Sequence, residues 1–375
     1  MYKICSLSLL VLFLISGCGK TSQKRVKVKE QPLKYAKNFS ITTENGYKVL
    51  HIKNPWQQGT YLAELVLDNK NETVPEKLLK KYTVLKTPVE RIATFSHTNI
   101  GFLSLLNETK RLNAVGTPET IYNKDVYSAY KEGKVANIGS DLQLDLERLI
   151  NTAPQLIMKS GYPQSAQNDE HLKSIGIPLV YNIEWMETNM LARAEWVKVL
   201  GVLTNQEVKA DSVFNEIESR YKQLIKSTDK MKKSPRVMMG NDFKGVWYVP
   251  GGKSYKAELL KQINVNYFLA NDTTSGSKAF SYEVVLDEMM KSDIWLYSGS
   301  VIAKGELKTD ERYAMFKPVK ENHVYGPFKR INVRNANDYW ESGMGRPDLV
   351  LADLIAIFYP DLHPNYELYY YKKLN

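Results

Sequence analysis

The chain has 375 residues, 43% hydrophobic and 25% charged, with a formal net charge of +10; this is the composition of a folded protein with room for two domains, not of a disordered or fibrous chain. Its two cysteines, Cys5 and Cys18, both lie near the start, so the remainder has no thiol for a disulfide, a thiolate metal site or a cysteine nucleophile. No Gly-x-Ser-x-Gly elbow, no His-Glu-x-x-His pair and no glycine-rich phosphate loop occurs, which argues against an exported enzyme.

Met1 and Lys3 open a short basic region, and an apolar run from Leu7 to Ile15 leads into Ser16-Gly17-Cys18. The run is too short to span a bilayer and has the flanks of a secretory signal. Small residues ahead of a cysteine resemble the bacterial lipoprotein box. That resemblance implies a signal peptide over residues 1–17 and lipidation of Cys18 as the mature N-terminus. The chain is then exported and held to a bacterial membrane by acyl chains, facing the periplasm or the cell exterior. Lys20, Lys24, Arg25, Lys27, Lys29, Lys34 and Lys37 oppose the single acid Glu30. Residues 18–38 therefore read as a lipidated basic tether lying near anionic headgroups. Nucleic acid is not the expected partner of an exported chain.

Residues 39–87 read as a β-rich appendage: Tyr47–Ile52 and Tyr61–Leu67 suit strands, with Asn45-Gly46 as a turn. From Val89 short apolar runs alternate with amphipathic stretches. Arg91–Phe95, Ala114–Gly116, Gln155–Met158 and Ile177–Tyr181 read as strands, with helices near Asn99–Asn107, Asp145–Ile150 and His171–Gly176. This alternation predicts a parallel sheet covered on both faces over residues 88–185. Residues 186–233 show only helical spacing, and Gln206–Thr228, without Gly or Pro, predicts one long helix. The alternation resumes over residues 234–375 with Arg236–Met239, Gly245–Val249, Ile294–Tyr297 and His323–Tyr325, then a closing helix at Pro347–Phe358. The expected fold is α/β: two Rossmann-like lobes with mainly parallel sheets, joined by one long helix, plus the N-terminal β appendage.

Four stretches carry a family resemblance. They are Arg91–Asn99, Asp145–Ile150 followed by Ala153-Pro154-Gln155-Leu156-Ile157, Ser281–Leu286, and Arg346–Leu354 with Pro360. In this order behind a lipobox they resemble the periplasmic substrate-binding proteins of ABC importers whose lobes are joined by a rigid helix. Members of that class bind ferric siderophores, haem or vitamin B12. The resemblance implies a non-enzymatic lipoprotein that captures a ferric siderophore or related iron complex and delivers it to an ABC permease dimer with its ATPase. Haem or cobalamin binding on the same fold is the alternative, as is a surface lipoprotein partnering an outer-membrane receptor. The two tryptophans that the vitamin B12 protein places ahead of its docking glutamates have no counterpart at Ile138–Asp141 or Ser275–Lys278.

The same resemblance casts Glu147 and Glu283 as permease-docking residues, although acids are favoured at helix starts in any case. Ligands of open α/β sheets sit at the carboxyl ends of strands. This marks Ser96, His97, Thr98, Asn99 and Tyr162 in the first lobe, and Trp247, Tyr248, Arg330, Arg334, Tyr339 and Trp340 in the second. Guanidinium and aromatic groups suit a large anionic planar ligand. Strand core for Trp247 and Tyr248, and ordinary surface charge for Arg330 and Arg334, are the competing readings. His97 is read either as an axial ligand to haem iron or as a hydrogen-bonding wall residue. The remaining histidines are scattered and suggest no metal cluster.

Overall fold

The structure, a computed structural model, describes residues 29–374 apart from 71, 164–165, 232–233, 300–306 and 308–310. The expected signal peptide, Cys18 and the first part of the basic segment lie outside the described residues. No helix among the described residues is long and apolar enough to cross a membrane.

The appendage is a five-stranded sheet, Lys29–Glu30, Phe39–Glu44, Tyr47–Lys53, Tyr61–Asp68 and Thr83–Lys86 in that order. The central hairpin turns at Asn45 and Gly46, both at positive φ (51° and 80°), the pair of left-handed residues that a tight two-residue turn requires. Strand pairing puts Phe39, Ile41, Leu50, Ile52 and Leu65 on one face, where they join the core of the first lobe. The opposite face buries Val49 and Val66 under Leu78 and Tyr82. The appendage is therefore continuous with the first lobe's core.

In the first lobe the strands run Leu179–Asn182, Leu156–Ser160, Ile92–Thr94, Leu112–Val115 and Ala136–Asn137, all parallel. The second lobe's sheet runs Asn266–Tyr267, Arg236–Met239, Ile294–Leu296 and Val324–Gly326, parallel, with Lys372–Lys373 antiparallel at its edge. A third element departs from the expected parallel alternation. Asn241–Phe243, Val246–Pro250 and Ser277–Phe280 form an antiparallel ribbon, turned at Lys244 and Gly245, both at positive φ.

The long helix spans Glu207–Thr228. Its Ala210 and Phe214 lie in the first lobe's core, and its Tyr221 lies in the second's. One rigid rod thus shares both cores, so opening the lobes as a wide clamshell would expose apolar surface at its two ends. The closing helix Pro347–Phe358 packs along it, and nearly all its residues are buried.

The end of the expected tether is part of the fold. The backbone amides of Lys34, Tyr35 and Ala36 donate to the buried Glu195 carboxylate at 2.9, 2.8 and 2.9 Å. Those of Lys37 and Asn38 donate to Glu187. Lys34 Nζ and Tyr35 Oη reach Glu218 on the long helix at 2.5 and 2.6 Å. Three acids distant in sequence hold residues 34–38, a contact that local sequence does not announce.

Candidate functional site

The turns at the carboxyl ends of the first lobe's strands face the second lobe, and the cleft lies between them. Ser96 precedes the helix His97–Leu105 and is half-buried, as are His97 and Thr98. Burial lowers the His97 pKa against its hydrogen bond to the Gly116 backbone, so the imidazole is neutral at neutral pH. Its Nε2 lies 3.5 Å from Thr120 Oγ1. Asn99 does not face the cleft. It is fully buried and bonded to Thr94 Oγ1 at 3.0 Å and to Asn182 at 2.6 Å, bracing two strand ends.

In the second lobe the ribbon decides two assignments. Pleating sends alternate residues to opposite faces, so Trp247 is 2% exposed and packs on Trp295, Tyr313 and Phe316, whereas Tyr248 is 45% exposed. Trp247 is core, as one of its two readings held. Tyr248 shares a face with Pro250 and Ser277, a cross-strand pair that lines the cleft. Tyr339 is also core, 2% exposed, while its neighbour Trp340 is 46% exposed.

Arg330 and Arg334 are half-buried and are not loose surface charge. Arg330 donates to Asp338 at 2.5 Å and lies over the rings of Tyr369 and Tyr122, 4.3 and 5.3 Å from their centroids. Arg334 sits 3.5 Å from the Tyr127 ring centroid and donates to the Ile121 carbonyl at 2.9 Å. Both join the second lobe to the turn after Leu112–Val115. Glu341 closes the same contact, accepting the amides of Tyr122 and Asn123 at 2.8 and 2.9 Å. Gly101 makes this approach possible, because a Cβ there would stand 2.0 Å from the Glu341 carbonyl oxygen.

The open part of the cleft lies beyond the opposite edge of the first lobe's sheet. A depression of about 360 Å³ is lined there by Trp185, Lys253, Tyr255, Lys256 and Ser277, among others, at the lower end of the size range of small-molecule sites. Its lining residue Tyr255 is tied to the first lobe: Arg193, on a short helix between the lobes, lies 4.4 Å over the Tyr255 ring and pairs with Glu184 at 3.1 Å. Tyr162 stacks on Trp185 at this wall. Sequence reading marked Tyr162 but missed Trp185, Lys253 and Lys256. The signal for the lysines was present in Pro250-Gly251-Gly252, a turn ahead of the helix cap Ser254. A Cβ at Gly252 would lie 2.3 Å from two carbonyl oxygens, so glycine there lets the turn pack close.

Glu147 and Glu283 occupy equivalent places. Each is the second residue of its helix, Leu146–Asn151 after Asp145 and Tyr282–Lys291 after Ser281, and each is exposed. The helices lead into the strands Leu156–Ser160 and Ile294–Leu296, so their starts lie toward the carboxyl ends of the sheets, the cleft side. Hydrogen bonding to Ser281 lowers the Glu283 pKa and keeps it ionised. Among the described residues no group of three His, Cys, Asp or Glu side chains could hold a metal ion.

Comparison with known proteins places this geometry. The profile of a family described as periplasmic binding protein matches residues 92–327, well over half of the chain. An uncharacterised lipoprotein of Methanocaldococcus jannaschii is 27% identical over 370 residues, covering 92% of this chain and 85% of that one. Among solved structures, a possible iron-binding (periplasmic solute-binding) protein from Staphylococcus epidermidis superposes with a TM-score of 0.57 at 21% identity, over 73% of this chain and 100% of that one. A periplasmic haem-binding protein from Roseiflexus gives a TM-score of 0.56 at 16% identity, over 73% and 100%. The structural likenesses show the shared fold.

Proposed function

The chain belongs to the periplasmic binding protein family, whose members bind solutes and are not enzymes, and on that premise we propose that it captures a ferric siderophore or related iron complex in the cleft and delivers it to an ABC permease dimer with its ATPase. The observation that carries this reading is the pair Glu147 and Glu283. Two exposed acids at matching helix starts, one per lobe on a body stiffened by a shared helix, suit a fixed two-point charge contact that orients a partner. The structural neighbours described as iron-binding and haem-binding proteins support the ligand class. Lipidation at Cys18 would hold the protein at the membrane where its permease lies, in keeping with the lipoprotein name of the M. jannaschii relative.

Haem is the second reading, favoured by one observation: His97 is neutral and half-buried at a strand-end turn, the state an axial imidazole needs. Affinity purification from membranes of native cells tests delivery. A co-purifying permease and ATPase supports it, whereas a β-barrel receptor in their place points to a surface role.

A further inference from the structure

Trp185 lines the open end of the cleft, and two further rings pack on it. Trp185 stacks on Tyr162 with centroids 5.4 Å apart and planes 29° apart, and Trp56 lies 6.3 Å from Trp185 at 42°. Tyr162 and Trp185 follow the adjacent strands Leu156–Ser160 and Leu179–Asn182. Trp56 comes from the loop joining Tyr47–Lys53 to Tyr61–Asp68, in the appendage and outside the matched residues 92–327. Its ring also lies against Gly161. The appendage thus reaches around the first lobe to build part of the aromatic wall.

The facing wall is basic. Lys253 and Lys256 flank Tyr255, and neither ammonium forms an ion pair among the described residues. The acid lining this cavity, Glu187, already accepts the amides of Lys37 and Asn38 and the Trp196 indole N–H. Two uncompensated cations therefore face an aromatic surface. Arg330, by contrast, is neutralised by Asp338. The contact that holds both arginines follows the strand Leu112–Val115, three strand positions from Leu179–Asn182, or about 14 Å away.

We infer that the ligand is an anionic chelate with flat or aryl surface, seated between the Trp185–Tyr162 stack and the Lys253/Lys256 pair, with Trp56 of the appendage completing the aromatic wall. This rests on the solute-binding reading above and names the class of solute. Ring faces stack on aryl groups, and ammonium groups in a partly enclosed cavity hold anionic oxygens more strongly than in open water. A neutral hydroxamate chelate would use neither wall fully.

The test titrates the full chain with four probes: a ferric tris-catecholate, haemin, a neutral ferric trihydroxamate and cyanocobalamin, read by quenching of tryptophan fluorescence. The tris-catecholate or haemin should bind tightest. Lys253→Ala with Lys256→Ala should weaken that probe by about tenfold or more, as should Trp185→Ala and Trp56→Leu. Thermal melts check folding, and the two lysines, with no ion pair to lose, decide the matter should Trp56→Leu unfold the appendage. If the parent binds a probe and the lysine variant binds it equally well, the inference is overturned and solute capture stands. Tightest binding of the trihydroxamate or cyanocobalamin also overturns it. A parent that binds none of the four overturns the proposed iron-complex function, and this inference with it.

Discussion

The carboxylate of Glu341, carried by the second lobe, accepts the backbone amide of Tyr122 in the first at 2.8 Å. Together with Arg334 on Tyr127 and the Gly101 contact, it pins one end of the cleft shut while the end beside Trp185 stays open. The expected cleft arginines thus hold the lobes together.

This pin should respond to pH. Burial pushes the Glu341 pKa up to about 7, and repulsion from Asp338 adds to it, against the two amides it accepts. A carboxyl raised on folding binds its proton more tightly in the native state. Its contribution is therefore full below about pH 4.5 and is lost as pH rises through 7. Stability measured by thermal melts should fall across that window by an amount on the order of 3 kcal/mol. Glu341→Gln, which cannot titrate, should flatten the slope. An unchanged slope would show that Glu341 does not titrate there.

Arg334→Ala should lower stability by about 1–3 kcal/mol, through a lost cation–π contact and a lost hydrogen bond to the Ile121 carbonyl. Affinity for an anionic chelate should change little. A large loss of affinity with an unchanged melt would return Arg334 to the ligand site.

The N-terminal strap is set by acids on distant helices. Burial pushes Glu218 up, but hydrogen bonds from Lys222, Lys34 and Tyr35 outweigh it and hold its carboxyl at about 2. A lowered carboxyl contributes stability above its unfolded value, near 4.5, and loses it as pH falls toward 2. Protection factors for amide exchange at Lys34–Ala36 should therefore fall on acidification below about pH 4. Glu195→Ala, which removes the acceptor of three amides, should lower them at neutral pH as well. Equal protection in that variant would mean the strap is held by other contacts.

Charge reversal of Glu147 and Glu283 together should abolish uptake and leave chelate affinity intact, since both lie on exposed helix starts and not among the cavity's lining residues. Each single reversal should slow association with the permease most at low salt, where charges are least screened. Unchanged uptake in the double variant would remove the docking role.

Much of the architecture was legible in the sequence. Gln206–Thr228 lacks helix breakers, and the helix observed is Glu207–Thr228. The closing helix falls at Pro347–Phe358 as expected. The ribbon was not legible, because Val246-Trp247-Tyr248-Val249 is apolar throughout and hides a period of two. The arginines were misplaced for a different reason. Their partners Tyr122 and Tyr127 lie about two hundred positions away in the chain, where neither spacing nor periodicity reaches. Trp56 and Trp185 were missed likewise, since only the fold brings the appendage loop to the strand-end turns.

The central claim, capture of an iron complex, is tested most directly by the absorption spectrum and iron content of the protein purified from iron-limited native cells. A broad visible charge-transfer band with stoichiometric iron is the predicted result, and a Soret band would select haem. A colourless, iron-free protein, or one with a corrin spectrum, would contradict the account.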